Sequence, residues 1–287
     1  MRIDKYFVII ITGLSFMSSM EGQSNKEIFR KGINSLCNDD TTSFLAAMNQ
    51  CSNTKMDSDL VVSALIELAG FYKAHENPHR AIGLLHSALN RFSKVESIQY
   101  YQTDTCTLFL EYVDWKYLIT RGGILKEMSK NYFILNMHDS AIIALNKINI
   151  YSDLNTIGCL SDVIIQGSEV AYLKAKAYLG LHDTISAIDQ LLDYCLHADG
   201  NGYEMSHQLL KRILFDTYGK TYVLNEIERS LKSAKLVKTL MKSGVTNFEI
   251  DFYLFGRKMP YLYYNDIDYF KEYVVRQSDF VRLLEEE

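Results

Sequence analysis

From residue 28 to about residue 195, apolar side chains recur at intervals of three and four, in blocks separated by short polar clusters. Spacing of this kind lines one face of an α-helix. It predicts helices over 28–37, 42–51, 57–74, 78–92, 98–117, 124–135 and 139–148, then one long or broken helix near 154–180 and another after Thr184. Two more are expected over 203–218 and 221–242. The second of these has an apolar stripe at Leu224, Ile227, Leu231, Ala234, Val237 and Met241, and an opposite face of Arg229, Lys232, Lys235, Lys238 and Lys242. No stretch sustains alternation with β-branched residues, so a sheet is expected at most over 248–255. The fold class read from the pattern is all-α.

Within this pattern one spacing occurs three times. Leu68-Ala69-x-x-Tyr72 leads to Ala81, Leu85 and Ala88; Met128-Ser129-x-x-Tyr132 leads to Ala141, Leu145 and Ile148; Ala175-x-x-Tyr178 leads to Ala187, Leu191 and Tyr194. Each tyrosine precedes its alanine by nine residues. Helices approach closely only where side chains are small, so the alanines mark contacts between paired helices and the tyrosine fills the space beside them. The linkers carry turn and helix-start residues: His75-Glu76-Asn77-Pro78, Asn136-Met137-His138-Asp139-Ser140 and Gly180-Leu181-His182-Asp183-Thr184. Pro78 suits a first helical turn, and Asp139 or Ser140 and Asp183 or Thr184 are cap candidates. The hairpin ahead of them, turning at Asn38-Asp39-Asp40, reads as a degenerate repeat or an N-terminal cap.

The spacing resembles the tetratricopeptide (TPR) motif, in which the first helix carries the small residue and Tyr and the second the Ala-apolar-Ala run. The resemblance implies an irregular TPR-like helical-hairpin solenoid, an α-α superhelix that binds other proteins. The key alanines are 60 and then 46 residues apart rather than roughly 34, so extra helices must interrupt the array. The implied organisation is a signal peptide over 1–22, repeats over 23–202, and a C-terminal helical extension and cap over 203–287. The family's ligand face lies on the first helices, where the residues not used for packing include Lys73, Lys126, Lys130, Phe133, Tyr172 and Lys176. Four lysines and two rings would suit an acidic peptide or a carboxylate. The asparagine that the family's carboxylate clamp expects in the first helix is Gly70 in this chain.

Composition narrows the picture. The 287 residues are 48% hydrophobic with only two prolines, which favours long helices. The formal charge of -5 argues against a general nucleic-acid binder. Met1-Arg2-Ile3-Asp4-Lys5, the apolar run from Tyr6 to Phe16 and the small residues through Gly22 have the form of a secretory signal, with cleavage expected between Ser18 and Gly22 and delivery to the periplasm or the exterior. The five cysteines are odd in number and scattered without a CxxC, as small buried apolar residues would be. Cys37 and Cys51 would sit at opposite ends of the first hairpin, too far apart to bridge.

The candidate chemistry is thin. His75-Glu76-Asn77-Pro78-His79 matches the H-E-x-x-H spacing of zinc peptidases, but that chemistry needs a continuous helix and Pro78 would break it. A zinc-dependent hydrolase is therefore the lesser alternative, and a structural subunit of an envelope complex is another. Gly200-x-Gly202 lacks the rest of a dinucleotide fingerprint, and neither a phosphate loop nor a G-x-S-x-G turn occurs. No catalytic residue, metal or cofactor is expected. The basic stripe within 224–242 could lie on an anionic membrane, although a solvated face is preferred. Asp266, Asp268, Glu272, Asp279 and the acids at 285–287 could instead face it within the molecule. Asp266-Ile267-Asp268-Tyr269-Phe270 and the segment 278–284 are similar to the acidic-aromatic ending of some bacterial TPR arrays.

Overall fold

The computed structural model describes residues 25–53, 58–91, 97–99, 118–154, 160–196, 204–240, 246–259 and 264–286. The leader, Trp115, Cys106, Cys159 and the expected boundary near Gly202 lie outside them. The chain is predominantly helical and divides into two compact units, 1–135 and 136–287.

A single turn explains the nine-residue spacing. After α1 (Asn25–Cys37) and α2 (Thr41–Ser52) come α3 (Ser58–Ala74) and α4 (Pro78–Leu89). At the end of α3, the N–H of Asn77 donates to Tyr72 O at 2.8 Å and that of Glu76 to Lys73 O at 3.2 Å, with Glu76 at φ 56°. This is a Schellman ending: a left-handed residue turns the chain back and satisfies the last carbonyls. Asn77 then caps the next helix, its Oδ1 accepting from Arg80 N. The turn recurs with Asp39 at φ 58° and Asp40 as cap, and with His182 at φ 60° and Asp183 as cap. Asn136 holds φ 56° in the same position, four residues after Tyr132, but Met137 caps with no side-chain bond. The residue four after the tyrosine is left-handed, the fifth caps, and the ninth falls on the buried face of the following helix. The first hairpin obeys the same rule, with Ser35 in the tyrosine's place and buried Phe44 in the alanine's.

In the first unit, α1 to α4 pack as successive antiparallel helices around Phe29, Phe44, Met48, Leu60, Leu68 and Phe71. Gly32 brings α1 close to α2: a Cβ there would lie 2.7 Å from that of Ala47. A two-stranded ribbon follows, β1 (Ser97–Gln99) and β2 (Leu118–Thr120), touching α3 and leading into α5 (Arg121–Ile134). The helix expected over 98–117 is thus wrong at its start, where Ile98 and Gln99 are paired in a strand; the rest lies outside the described residues. Gly122 and Gly123, which precede the helix expected from residue 124, lie buried in the first turn of α5, because Thr120 at the end of β2 caps that turn through Gly123 N at 3.0 Å.

The second unit holds α6 (His138–Asn146), the short α7 (Ile150–Asp153), α8 (Leu160–Gly180), α9 (Thr184–Leu192), α10 (Glu204–Tyr218) and α11 (Lys220–Ser233). Gly219 alone joins α10 to α11 at φ 83°, a conformation that favours glycine. The helix expected to run to residue 242 stops at Ser233. Residues Lys235–Leu240 form β3, paired antiparallel with β4 (Thr246–Asp251). A helical stripe would bury Val237, whereas pairing sends Leu236 and its partner Ile250 toward the core and leaves Val237 exposed. Pairing within the β3–β4 hairpin overrides the helical period. A small hairpin of β5 (Tyr253–Leu254) and β6 (Arg257–Lys258) precedes α12 (Ile267–Tyr269), a π-helical stretch over Phe270–Arg276 and α13 (Asp279–Glu285). Phe252, Phe270 and Phe280 share one core with the buried faces of α9, α10 and α11. The tail is tied down by Lys211 Nζ donating to Leu283 O at 2.6 Å and Lys220 Nζ donating to Glu286 O at 3.1 Å, cations placed at the carbonyl end of α13.

Candidate functional site

The expected ligand-facing residues fall into two groups that meet different surroundings. In the first unit, every residue of α3 from Leu60 to Phe71 is buried, and α5 is nearly so from Gly122 to Met128. A helix buried all round has no face to offer. Lys73, in the last turn of α3, places Nζ 2.7 Å from Glu127 Oε1, and Lys130 places its own 3.6 Å from Oε2. The Glu127 side chain is only 2% accessible, against 28% for each lysine. Asn131 Nδ2 donates to the Glu127 carbonyl at 3.0 Å. A buried carboxylate requires such company, because desolvation would otherwise penalise its charge. Two of the four lysines therefore have an internal ion-pair partner. Lys126 and Phe133 are half-buried on the same helix.

In the second unit, Tyr172 and Lys176 lie one turn apart on α8, with Lys176 Nζ 5.7 Å from the centre of the Tyr172 ring. Tyr172 forms one wall of a cleft of about 470 Å³ whose other wall is α10: Glu204, Met205, Gln208, Leu209 and Arg212. Ser168 Oγ on α8 meets Ser206 Oγ on α10 at 3.3 Å. One turn further along α8, Tyr172 lines the cleft with α10 residues that extend beyond Ser206 to Arg212, so the two helices run side by side in the same direction. Glu204, Gln208 and Arg212 occupy successive turns of one face and give the cleft an acidic end, an amide middle and a basic end. Met205 is 61% exposed at its rim. The α10 residues were missed in the sequence because the repeat resemblance fades past Gly202. The available signal was the polar i, i+4, i+8 series opposite buried Leu210, Ile213 and Leu214.

The repeat-packing residues are also placed. Leu68, Ala69, Ala81, Ala88, Ala141, Ala175 and Ala187 are buried, and Tyr72, Tyr132 and Tyr178 are half-buried. Arg80 lies 4.0 Å above the Tyr72 ring, a cation over an aromatic face at the hairpin turn.

The H-E-x-x-H residues straddle a turn. α3 ends at Ala74, Glu76 is left-handed and α4 begins at Pro78. His75 stacks on Phe71 with ring centres 4.0 Å apart and sets Nδ1 2.8 Å from Phe71 O. The two histidines are thus not presented on one helical face. Among the described residues, no group of three His, Cys, Asp or Glu side chains is gathered as metal ligands, and no helix is long and apolar enough to cross a membrane.

Titration reflects burial at a few points. Desolvation pushes the buried Cys51 thiol up to about 12 and lowers His207, with Asp279 opposing the latter. On α8, Lys174 is lowered by burial and partly restored by Asp193, which itself pairs with Arg257 at 2.7 Å. These groups brace β6 against α9.

No protein-family model, curated protein or solved structure matches the chain.

Proposed function

We propose that the protein is a protein-binding adaptor built on TPR-like helical hairpins, exported from the cytoplasm, which holds a peptide segment of its partner between α8 and α10 and carries out no catalysis. The observation that carries the reading is the cleft itself: Tyr172 opposite Gln208 and Arg212, with Met205 exposed at the rim. It lies between two helices that run in the same direction, as first helices of neighbouring repeats do. A ring, an apolar rim and separated charges are the contacts that fix a peptide's direction and register. Burial of α3 argues against the corresponding face of the first unit as the place of binding.

The test begins with the full chain as bait in an extract of its native envelope. Affinity for the partner so identified is then measured by calorimetry for wild type, Tyr172→Ala and Arg212→Glu. Each variant is expected to weaken binding by about tenfold or more. Undiminished affinity in both would sink the cleft as the binding site. Export rests on the apolar run Tyr6 to Phe16. N-terminal sequencing of the native protein should begin between Ser19 and Gln23, and an intact Met1 would contradict it.

A further inference from the structure

The β3–β4 hairpin carries a second surface, separate from the cleft. Its strands pair with each other over six residues and with no other strand among the described residues, so the outer edge of β3 has no strand neighbour. Lys235, Val237, Lys238 and Leu240 are exposed along it, Val237 at 41% and Leu240 at 73%. In an antiparallel pair, alternate residues turn both N–H and C=O away from the partner strand. Such an edge is a template for another strand.

Charge decides which strand. Among the described residues, Lys235 and, at the end of α11, Lys232 are exposed and make no ion pair, and Lys238 lies over the Phe248 ring at 5.5 Å. The hairpin's acids sit on β4, where Lys258 holds Glu249 at 3.0 Å and Asp251 at 3.5 Å. A β3 strand from a second copy would bring two further lysines and no acid to the same short edge, which is unfavourable. Edge lysines discourage neutral strands too, but they favour an acidic one. Parity argues against a membrane surface: positions 235 and 237 lie on one face of the ribbon, 238 and 240 on the other. Each face thus carries one lysine and one exposed apolar side chain, and neither forms an apolar surface that could enter a bilayer. What the four residues share is the edge.

We propose that the outer edge of β3 adds a strand from a protein partner, an extended acidic segment whose apolar residues meet Val237 and Leu240. The probe is a fluorescent peptide of Val, Thr and Glu, with a counterpart carrying Lys at every Glu position, titrated into the full chain at low salt and followed by anisotropy. The acidic peptide should bind, the basic one should not, and alternate β3 amides should gain protection from hydrogen exchange. Lys235→Glu/Lys238→Glu should weaken binding by about tenfold or more, while Tyr172→Ala and Arg212→Glu leave it unchanged, which separates this site from the cleft. If the double variant loses its circular dichroism spectrum, Lys235→Gln/Lys238→Gln replaces it under the same requirement. The proposal is overturned by equal binding of the two peptides, by binding without β3 protection, by undiminished binding in the lysine variants, or by a chain that binds phosphatidylserine vesicles but not the peptide.

Discussion

Replacing Lys73 with methionine separates a structural lysine from a ligand-binding one. Methionine keeps most of the buried stem and deletes the charge that sits 2.7 Å from Glu127. Stripping one partner from a fully buried pair costs about 3–5 kcal/mol. Here the lysine is 28% accessible and Lys130 remains 3.6 Å from the other oxygen, so roughly half of that, about 2 kcal/mol, is expected. Glu127→Gln keeps the shape and removes the charge, which should cost about 1 kcal/mol. In that background Lys73→Met should cost no more than about 0.5 kcal/mol, a coupling of about 1.5 kcal/mol. Urea titrations followed by circular dichroism give the four corners of the cycle, and hydrogen exchange in α3 and α5 should report the loss locally. A Lys73→Met protein as stable as wild type, or costs that simply add, would falsify the internal pairing and return Lys73 to the list of ligand contacts.

Three further outcomes follow from local geometry. Gly32→Ala gains about 1 kcal/mol of helix propensity but presses a methyl to 2.7 Å from the Ala47 Cβ, which only backbone movement can relieve; a net loss of about 1–2 kcal/mol is expected in thermal unfolding, and unchanged stability would mean α1 can step back freely. Glu76→Gly removes a side chain from a left-handed position at φ 56° and should stabilise the protein by about 0.5 kcal/mol, net of glycine's extra unfolded-state entropy; a lower melting temperature would contradict this. His207 is lowered from 6.5 chiefly by burial, so the folded state favours its neutral form. Its contribution is fully present above pH 6.5 and is lost as pH falls from there through the depressed folded value. Urea midpoints should therefore drop on acidification, and His207→Asn should flatten that part of the profile; an identical slope in the variant would assign the effect elsewhere.

The hairpins were legible because the device that builds them is short. A left-handed residue, a cap and a buried position all lie within nine residues of the tyrosine, and Asp40, Asn77 and Asp183 announce the cap in the sequence. What was not legible depends on partners outside the helix in which each residue was read. Val237 reads as part of a helical stripe, and only its pairing opposite Glu249 shows otherwise. Lys73 and Lys130 read as ligand-facing lysines until Glu127 is seen buried between them, with Lys73 reaching it from 54 residues away. The covered state of α3 depends on tertiary neighbours such as β1, where a helix was expected. Tyr172 was identified on its own helix, but its cleft needs α10, whose polar face carried no family signature.

The repeated turn also bears on how the chain acquires its structure. The hairpins α1–α2, α3–α4 and α8–α9 are each closed by bonds between residues at most five apart, and the two helices of each meet within some thirty residues, so each can form without waiting for distant segments. The longer connections, at 90–120, 147–159 and 193–203, all fall between hairpins. During synthesis an earlier hairpin could therefore be complete while the next is still emerging, whatever length of connector separates them. Lengthening a connector should slow the docking of neighbours but leave the closing rate of each hairpin unchanged, whereas one residue added after Tyr72 or Tyr178 would shift the cap and rotate the whole second helix off its buried face.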